Sequence, residues 1–363
     1  MSEVMATSRR HPIHAMPFDD VANALEDEYR ARSPRQRFDA RRKALLLDLR
    51  LLLGGQSRRQ VRTVPASTRR LLWVQTRTTV GDAILDLAPR RLIPSRIDVD
   101  LLIAPALAPL FQSDRRFRAV IGSAAQCASD YDFILIDGLR GSSLRMKAER
   151  FRAVPFATMR GHRRGERFDR AAFADRRLRE LLGLAGGPVE APRLDLGADL
   201  PSAHDAGHFR IALALGGRMQ RGLYGHWPET LAALAAAWPA ALPKPEFVLV
   251  GQGISAKAQR DAIERAATGL PVTSLIGSGS LRKTAIDIAA CDAFLGVDGG
   301  LMHIAVGVGT PGLSIFVGGD SSYALRPGST MIALTSDGEL DGLEPGAIAT
   351  AFVAGLAGFS AGR

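Results

Sequence analysis

The segment 297–303, with the sequence Val-Asp-Gly-Gly-Leu-Met-His, has the residue types of an anion-binding turn. An apolar run ends there, Gly299 and Gly300 permit a tight turn, and a helical pattern begins at Leu301. The free N–H groups and the positive dipole end of such a helix suit a diphosphate. Asp298 can accept hydrogen bonds from sugar or ribose hydroxyls. In the alternative interpretation Asp298 only caps the helix, and the residues alone support both equally.

A second strand–turn–helix pattern lies at 76–85, where Asp82 follows the glycine of the turn. Sugar transfer needs a base that takes the proton of the acceptor hydroxyl, and an aspartate that lines a cleft can do this. In the alternative interpretation the helix dipole simply favours an aspartate in the first turn, and the residues alone favour that alternative. Asp82 is therefore a candidate catalytic residue, and Arg77, Thr78 and Thr79 are candidate acceptor-binding residues.

The elements that would position these residues alternate between continuous apolar runs and helical stretches. The apolar runs lie at 71–74, 99–103, 133–136, 211–215, 247–250, 293–297 and 312–316, and a further short strand is expected at 272–275. The helical patterns lie from 82 onward and at 166–182, 227–238, 256–267, 281–290, 301–308 and 347–356. Continuous apolar runs indicate parallel strands that are covered on both faces.

This alternation predicts an α/β architecture of two Rossmann-like domains with parallel sheets, at 71–205 and 206–363, which face a central cleft. The Gly- and Pro-rich stretch 183–207 suits the boundary between them. Ligands of such sheets bind beyond the carboxyl ends of the strands. We therefore expect Asp82 and Asp298 to face the same cleft from opposite domains.

Residues 1–70 form a basic extension, with 15 Lys and Arg against 8 Asp and Glu, or +7 of the chain's net charge of +10. A helical pattern runs from Phe18 to Leu53, and 56–70 is typical of a linker. The charge predicts an anchor for an anionic surface, which can be phospholipid, lipopolysaccharide or nucleic acid. The alternative is a solvated, partly disordered tail, which the residues alone favour slightly. We favour peripheral membrane contact over nucleic acid as the partner of this extension.

Several classes of protein are disfavoured by the composition. No apolar run reaches the roughly 18 residues of a membrane helix, and the N-terminus lacks the apolar core of a signal peptide, so we expect a cytoplasmic protein. Cys127 and Cys291 lie far apart without a CxxC pair, which disfavours a disulfide framework or a zinc site. His204 and His208 have metal-ligand spacing on a helix but no accompanying ligands. We therefore expect no metal and no cofactor.

Taken in chain order, these motifs resemble the heptosyltransferase family, glycosyltransferase family 9. The first half supplies Gly-Asp-Ala-Ile-Leu at 81–85 and Tyr-Asp-Phe-Ile-Leu-Ile-Asp at 131–137, with Arg-Gly-Ser at 140–142. The second half supplies the segments 247–251, 275–277, 280–281, 292–296, 298–303 and 309–311. The match covers about residues 71–330 and is most specific at 298–311, whereas the basic extension lies outside it.

The resemblance implies a GT-B fold and an inverting, metal-independent transfer of L-glycero-D-manno-heptose from ADP-heptose to a lipopolysaccharide core. Carried over by position, Asp82 would be the general base and Asp298 would hold hydroxyls of the donor. His303 would pack beneath or near the nucleotide. Arg140 would join the acceptor-binding residues. The donor-binding residues implied in this way are Gly216, Gly217, Arg218, Gly251, Asp298, Gly299, Gly300, Leu301 and His303.

Two departures from the family pattern leave other functions open. The family usually has Ser or Thr after the motif aspartate, where this chain has Gly299, and Lys where this chain has Gly225, two residues before Trp227-Pro228. Loss of a charged phosphate contact costs on the order of 2 kcal/mol unless an arginine replaces it. A transferase that uses another nucleotide sugar or a protein acceptor, and a non-catalytic nucleotide-sugar-binding or scaffold protein, are the alternatives.

Overall fold

The computed structural model describes residues 33–138, 141–160, 169–199, 207–216, 223–266, 269–318, 321–326, 329–336 and 338–361. Contacts divide the chain into two compact units. The second unit comprises Thr79–Ile84, Pro109–Asp114 and the chain from Pro192 onward, and the first comprises the remainder up to Ala191. The predicted boundary between residues 205 and 206 lies outside the described residues.

A basic helix, α1 (Pro34–Leu53), precedes the first sheet. Ser33 and Gln36 form a capping box at its start, where the Ser33 side chain accepts from the Gln36 N–H and the Gln36 side chain accepts from the Ser33 N–H. The helix ends at Gly54, as the sequence predicted. The predicted part of this helix at 18–32 lies outside the described residues.

The first unit contains a five-stranded parallel sheet. Its strands are β1 (Arg70–Gln75), β2 (Asp98–Ile103), β3 (Phe117–Ile121), β4 (Phe133–Gly138) and β5 (Phe156–Arg160), in the order β3-β2-β1-β4-β5. The apolar runs that predicted β1, β2 and β4 are confirmed as strands. The sequence reading missed β3 and β5, because edge strands are shorter and mix polar with apolar residues.

Three further helices belong to this half of the sequence. They are α2 (Val80–Asp86), whose residues before Leu85 group with the second unit, α3 (Gly141–Arg150) and α4 (Arg170–Leu182). The Asp169 side chain caps α4, and Gly183 ends it in the left-handed conformation. The pattern at 166–182 predicted α4 closely, and 166–168 lie outside the described residues.

A buried lysine joins the linker after α1 to α3. Lys147 donates from Nζ to Gln56 Oε1 at 2.7 Å and to the Phe151 carbonyl at 2.9 Å. Its burial, together with the nearby charge of Arg59, lowers the pKa of its ammonium group to about 8. The linker is therefore attached to the first unit by a polar contact inside the protein, as well as by apolar packing.

The second unit contains a six-stranded parallel sheet. Its strands are β6 (His208–Leu215), β7 (Lys244–Gly251), β8 (Val272–Ser274), β9 (Ala293–Val297), β10 (Gly312–Val317) and β11 (Met331–Ser336), in the order β11-β10-β9-β6-β7-β8. The five predicted runs are confirmed, and only the edge strand β11, with a largely accessible pattern of side chains, was missed.

The helices of the second unit follow the predicted alternation. They are α5 (Trp227–Ala237), α6 (Gly253–Arg265), α7 (Leu281–Ala289), α8 (Gly300–Val308) and α9 (Pro345–Ala361). Buried side chains of α5 and α9 pack with those of the strands in one apolar cluster, which includes Trp227, Phe247 and Phe352. Among the described residues, no helix has the length and apolar character needed to cross a membrane.

Candidate functional site

The candidate donor-binding residues lie at one edge of the second sheet. In the order β11-β10-β9-β6-β7-β8 the chain reverses its direction of growth between β6 and β9, which is the switch point where open α/β sheets bind ligands. Leu213 of β6 pairs with Leu295 of β9 in parallel register. Extended by three residues, this register would set Gly216 beside Asp298 at the carboxyl edge.

Gly216 and Gly251 are required by close packing at this edge. A Cβ atom on Gly251 would lie 2.4 Å from the Leu215 carbonyl oxygen, and one on Gly216 would lie 3.0 Å from the Cβ of Ala256 in α6. Gly216 also has a positive φ of 82°. Absent side chains thus let β6, β7 and α6 approach one another, a packing reason for Gly251 in addition to the predicted approach of a nucleotide base.

Gln259 of α6 holds both ends of the loop that follows β6. Its Oε1 accepts from the Gly216 N–H at 2.6 Å, and its Nε2 donates to the Tyr224 carbonyl at 2.7 Å. The predicted donor-binding residues Gly217 and Arg218 belong to this loop but lie outside the described residues. Sequence reasoning missed Gln259.

A signal for Gln259 was present in the pattern of α6. Ala256 and Ile263 are buried on its inner face, and Gln259 stands between them at helical spacing. A polar side chain in an apolar stripe needs a hydrogen-bond partner within the protein, which the loop supplies. The stripe would have indicated a positioning role, although the loop it contacts could not be named from the sequence.

Asp298 stands one residue before the N-cap of α8, which is Gly299. The capping interpretation therefore fails, because the N-cap position is occupied by a residue without a side chain. Asp298 is exposed, yet the protein around it displaces enough water to raise the pKa of its carboxyl above the ordinary value. Its backbone N–H donates to the Ile315 carbonyl at 2.8 Å, which fixes this corner against β10.

The turn that carries Asp82 packs against the first turn of α8 within the second unit. A Cβ atom on Gly81 would lie 2.3 Å from His303 Cδ2, and one on Gly300 would lie 3.0 Å from the Cβ of Val80. Both glycines therefore allow an approach that other residues would block. Asp82 itself is half-buried in the first turn of α2. The Asp82 turn and the Asp298 motif therefore belong to one unit, whereas the sequence predicted that they face one another from opposite domains.

His303 is buried at 9% exposure, and its ring lies against Gly81. Leu301 is half-buried in the same helix turn. The predicted packing of His303 near the nucleotide stays a prediction. The observed contact gives the imidazole a second place in the molecule, as the surface on which the Asp82 turn rests.

The first sheet has its own switch point, between β1 and β4. The Thr76 hydroxyl bonds to Asp137 there, 2.9 Å from Oδ1 and 2.8 Å from Oδ2. Nearby, Arg170 binds both oxygens of buried Asp86 at 2.7 and 2.8 Å, and Gln75 donates to Oδ2 of the same carboxylate at 3.0 Å. Sequence reasoning assigned no role to these side chains.

The candidate acceptor-binding residues have few described contacts. Arg77 and Thr79 are half-buried and Thr78 is exposed in the turn between β1 and α2. The Arg77 N–H donates to the Gln75 side chain at 3.2 Å. Arg140 lies outside the described residues. Within the described part of the chain, no group of three or more His, Cys, Asp and Glu residues could hold a metal ion.

Gly225, one of the two departures from the family pattern, lies beside an acidic side chain. The Gly225 N–H donates to Asp341 Oδ1 at 2.9 Å. A carboxylate therefore lies beside the position where the family has a lysine. Such a carboxylate would pair with a lysine there, or repel a phosphate in its absence.

Parts of the chain and its fold are similar to those of known glycosyltransferases. Residues 246–329 match the model of glycosyltransferase family 9 (heptosyltransferase). A search of curated proteins finds no significant match. The structure of a family 9 glycosyl transferase from Veillonella parvula is similar at a TM-score of 0.66 and 12% identity, over 82% of this chain and 99% of that one.

Two E. coli structures are also similar. Heptosyltransferase WaaC with ADP has a TM-score of 0.61 and 16% identity, over 77% of this chain and 98% of that one. ADP-heptose lps heptosyltransferase II has a TM-score of 0.59 and 18% identity, over 79% and 98%. These likenesses show the GT-B fold. With the family match in the second unit, they confirm the resemblance that the motifs indicated, and they indicate a glycosyltransferase related to the heptosyltransferases.

Proposed function

We propose that the chain transfers heptose from ADP-heptose to a hydroxyl of a lipopolysaccharide core or another anionic glycan, with inversion and without a metal ion. The main support is the contact between the Asp82 turn and the first turn of α8 through Gly81 and His303. The family match and a similar structure of WaaC with ADP-2-deoxy-2-fluoro heptose, at 15% identity, support the choice of donor.

The donor is proposed to bind at the carboxyl edge of the second sheet. The first turn of α8 offers free N–H groups to the diphosphate, and Gly299 keeps a side chain away from it. Gly216 lies at the same edge, and the resemblance assigns Gly217 and Arg218 to the same donor. Asp298 accepts hydrogen bonds from hydroxyl groups of the donor. This arrangement stabilises the charge that develops on the leaving diphosphate.

Asp82 is proposed as the general base. Its carboxylate takes the proton of the acceptor hydroxyl while the hydroxyl oxygen bonds to the anomeric carbon on the face opposite the nucleotide. The bond from that carbon to the diphosphate oxygen breaks, and ADP leaves with the electron pair. The transition state resembles an oxocarbenium ion. Arg77, Thr78, Thr79 and Arg140 would hold the acceptor at the cytoplasmic face of the inner membrane.

Replacement of Asp82 by Asn tests this assignment. We expect transfer from ADP-heptose to fall at least about 100-fold, because a positioned base contributes that much or more, while ADP-heptose still raises the melting temperature. Asp261→Asn, which removes a half-exposed carboxylate on α6, is the control and should keep normal transfer. Normal turnover in Asp82→Asn would show that another group is the base.

A non-catalytic nucleotide-sugar-binding protein is the second candidate. It is favoured by the carboxylate of Asp341 beside Gly225, where the family has a lysine. A thermal-shift panel of ADP-, UDP- and GDP-sugars, followed by transfer assays with lipopolysaccharide extracts, separates the two candidates. Stabilisation by one nucleotide sugar without transfer to any extract would support the non-catalytic protein.

A further inference from the structure

The helix α1 carries a stripe of exposed large apolar side chains. The exposed fractions are 66% for Phe38, 68% for Leu45, 45% for Leu46, 45% for Leu49, 66% for Leu52 and 77% for Leu53. Single exposed leucines are ordinary, but a continuous apolar surface marks an interaction site. The stripe therefore calls for a partner.

The spacing of these residues places them on one side of the helix. Phe38, Leu45, Leu49 and Leu52 follow one another at intervals of seven, four and three residues, which keeps them on a single face. Leu51, at 4% exposure, and Leu47 lie on the opposite face and pack into the apolar cluster of the first unit. The helix is thus fixed on the first unit with its apolar stripe directed outward.

Basic side chains accompany the stripe. Between Pro34 and Leu53 the helix has six Lys and Arg against two Asp, a net charge of +4. The exposed basic residues are Arg35, Arg41, Arg42, Lys43 and Arg50. Arg35 and Arg42 lie on the stripe itself, and Arg41, Lys43 and Arg50 lie beside it. Exposed apolar side chains combined with cations suit a helix that lies in the interface of an anionic membrane. Each such cation near an anionic bilayer strengthens binding about fivefold.

We propose that α1 docks the protein on an anionic phospholipid bilayer, with its leucine stripe among the acyl chains and its basic residues at the headgroups. The inference deepens the proposed function, because it rests on an acceptor that is a membrane glycolipid. The docked helix would lie beside the predicted acceptor edge. Arg50 Nη1 is 3.2 Å from the point where a Cβ of Gly141 would stand, next to the end of β4.

Two other occupants of the stripe are less well matched. A second copy of the helix would bring another +4 charge against the first. The preceding segment 18–30 is acidic, with five Asp and Glu against one Arg. Even as a helix folded back from Ser33, however, its 12 or so residues would reach about 18 Å, roughly as far as Leu46. The stripe from Leu49 to Leu53 would remain uncovered, and a bilayer covers all of it.

Co-sedimentation of the full-length protein with vesicles tests the proposal. We expect binding to vesicles of phosphatidylglycerol and phosphatidylcholine, and much weaker binding to phosphatidylcholine alone. Leu45→Ser combined with Leu52→Ser should lower the partition coefficient at least about tenfold. Leu184→Ser with Ile254→Ser removes two exposed apolar side chains outside α1 and is the matched control, which should bind as the wild type does. Arg35→Gln with Lys43→Gln should weaken only the binding to phosphatidylglycerol.

Three outcomes would overturn the proposal. They are wild-type binding by the leucine variant, binding that appears only after deletion of residues 1–32, and a wild-type dimer that the leucine variant loses in sedimentation. The last two would assign the stripe to the acidic segment or to a second copy. Transfer to a soluble acceptor should be equal in the wild type and the leucine variant. Vesicle binding without any transfer would contradict the proposed function and leave the docking surface intact.

Discussion

The two sheets have the same strand order around their switch points, but the polar groups there differ. In the first sheet the Thr76 hydroxyl bonds to both oxygens of buried Asp137. In the second sheet, the register of Leu213 with Leu295 sets Gly216, which has no side chain, opposite Asp298 when it is extended by three residues. Asp298 therefore stays exposed, with a raised pKa. With the same topology, the first sheet has a carboxylate, Asp137, that is bonded within the protein. The second has a carboxylate, Asp298, that is available to a ligand.

This comparison separates two ways of building a site. The second switch point is formed mainly by glycines and backbone groups, which leave room for a ligand and offer N–H donors. The first is filled by paired side chains, including the pair of Arg170 with Asp86. Changes at the second should alter donor binding, and changes at the first should alter stability.

The largest effect is expected for Gly81→Ala, at the contact between the Asp82 turn and α8. The new Cβ would overlap the His303 ring, 2.3 Å from Cδ2, so the turn or the ring must move. We expect a loss of about 1–3 kcal/mol in the free energy of unfolding and about 100-fold in transfer. Chemical denaturation and initial rates measure the two quantities.

A double-mutant cycle isolates the contact. In a His303→Ala background, Gly81→Ala should cost much less, because the ring that it overlaps is gone. Gly358→Ala in α9, where the added Cβ meets no neighbour, is the control and should raise the free energy of unfolding slightly, by about 0.5–1 kcal/mol, through helix propensity alone. Equal costs of Gly81→Ala in both backgrounds would show that the contact with His303 is not responsible.

A smaller effect is expected for Gln259→Leu, which removes the bonds to Gly216 and Tyr224. The loop after β6 loses both anchors, so KM for the donor should rise about tenfold with little change in kcat. Gln259→Glu keeps an acceptor for the Gly216 N–H but turns a carboxylate oxygen toward the Tyr224 carbonyl. Its KM for the donor should lie between those of the wild type and Gln259→Leu. A fall in kcat with unchanged KM would contradict a positioning role.

Much of the fold could be predicted from the sequence, because its signals are local. Continuous apolar runs identified the central strands, which are buried on both faces, and glycine-containing turns located both helix starts near Asp82 and Asp298. The missed strands β3, β5 and β11 all lie at sheet edges. The edge strands β3 and β11 have accessible side chains, so their composition resembles that of a loop. The strand β5 is buried from Phe156 to Met159, but Thr158 interrupts its apolar run.

The side-chain network of the site could not be predicted in the same way. Gln259, Thr76 and Asp137 act through partners that are distant in sequence, up to 61 residues apart for the last two. Their partners depend on strand order, which the residues do not show. The glycines were easier to identify, because turns and close packing restrict residue type wherever they occur. Gly81 was noticed in its motif, but its contact with His303 required the structure.

Thr76→Val should produce a loss of about 1 kcal/mol in the free energy of unfolding, because buried Asp137 loses the hydroxyl that donates to it. Thr76→Ser keeps the hydroxyl and should be nearly neutral. KM for the donor should not change in either variant, since the pair belongs to the first switch point. A rise in the donor KM of Thr76→Val would contradict the assignment of donor binding to the second switch point and of stability to the first.

The smallest and most discriminating effect concerns the charge of Asp298. Because the protein raises the pKa of this carboxyl, the folded state binds its proton more tightly than the unfolded state does. The carboxyl therefore favours folding at low pH, and this contribution is lost as pH rises through the folded pKa. Asp298→Asn should then melt slightly above the wild type at neutral pH, with the difference vanishing in acid, while donor binding weakens.

Activity should show the opposite dependence on pH from stability. If the ionised carboxylate accepts hydrogen bonds from the donor, wild-type kcat/KM falls on acidification at a higher pH than an ordinary aspartate would cause. Asp298→Asn should lose that acid limb and be uniformly weak across the range. Asp137→Asn, at the first switch point, should lower the melting temperature at neutral pH instead of raising it. Replacement of aspartate by asparagine would thus raise the melting temperature at position 298 and lower it at position 137. This difference is expected if Asp298 serves ligand binding at a cost in stability and Asp137 serves stability.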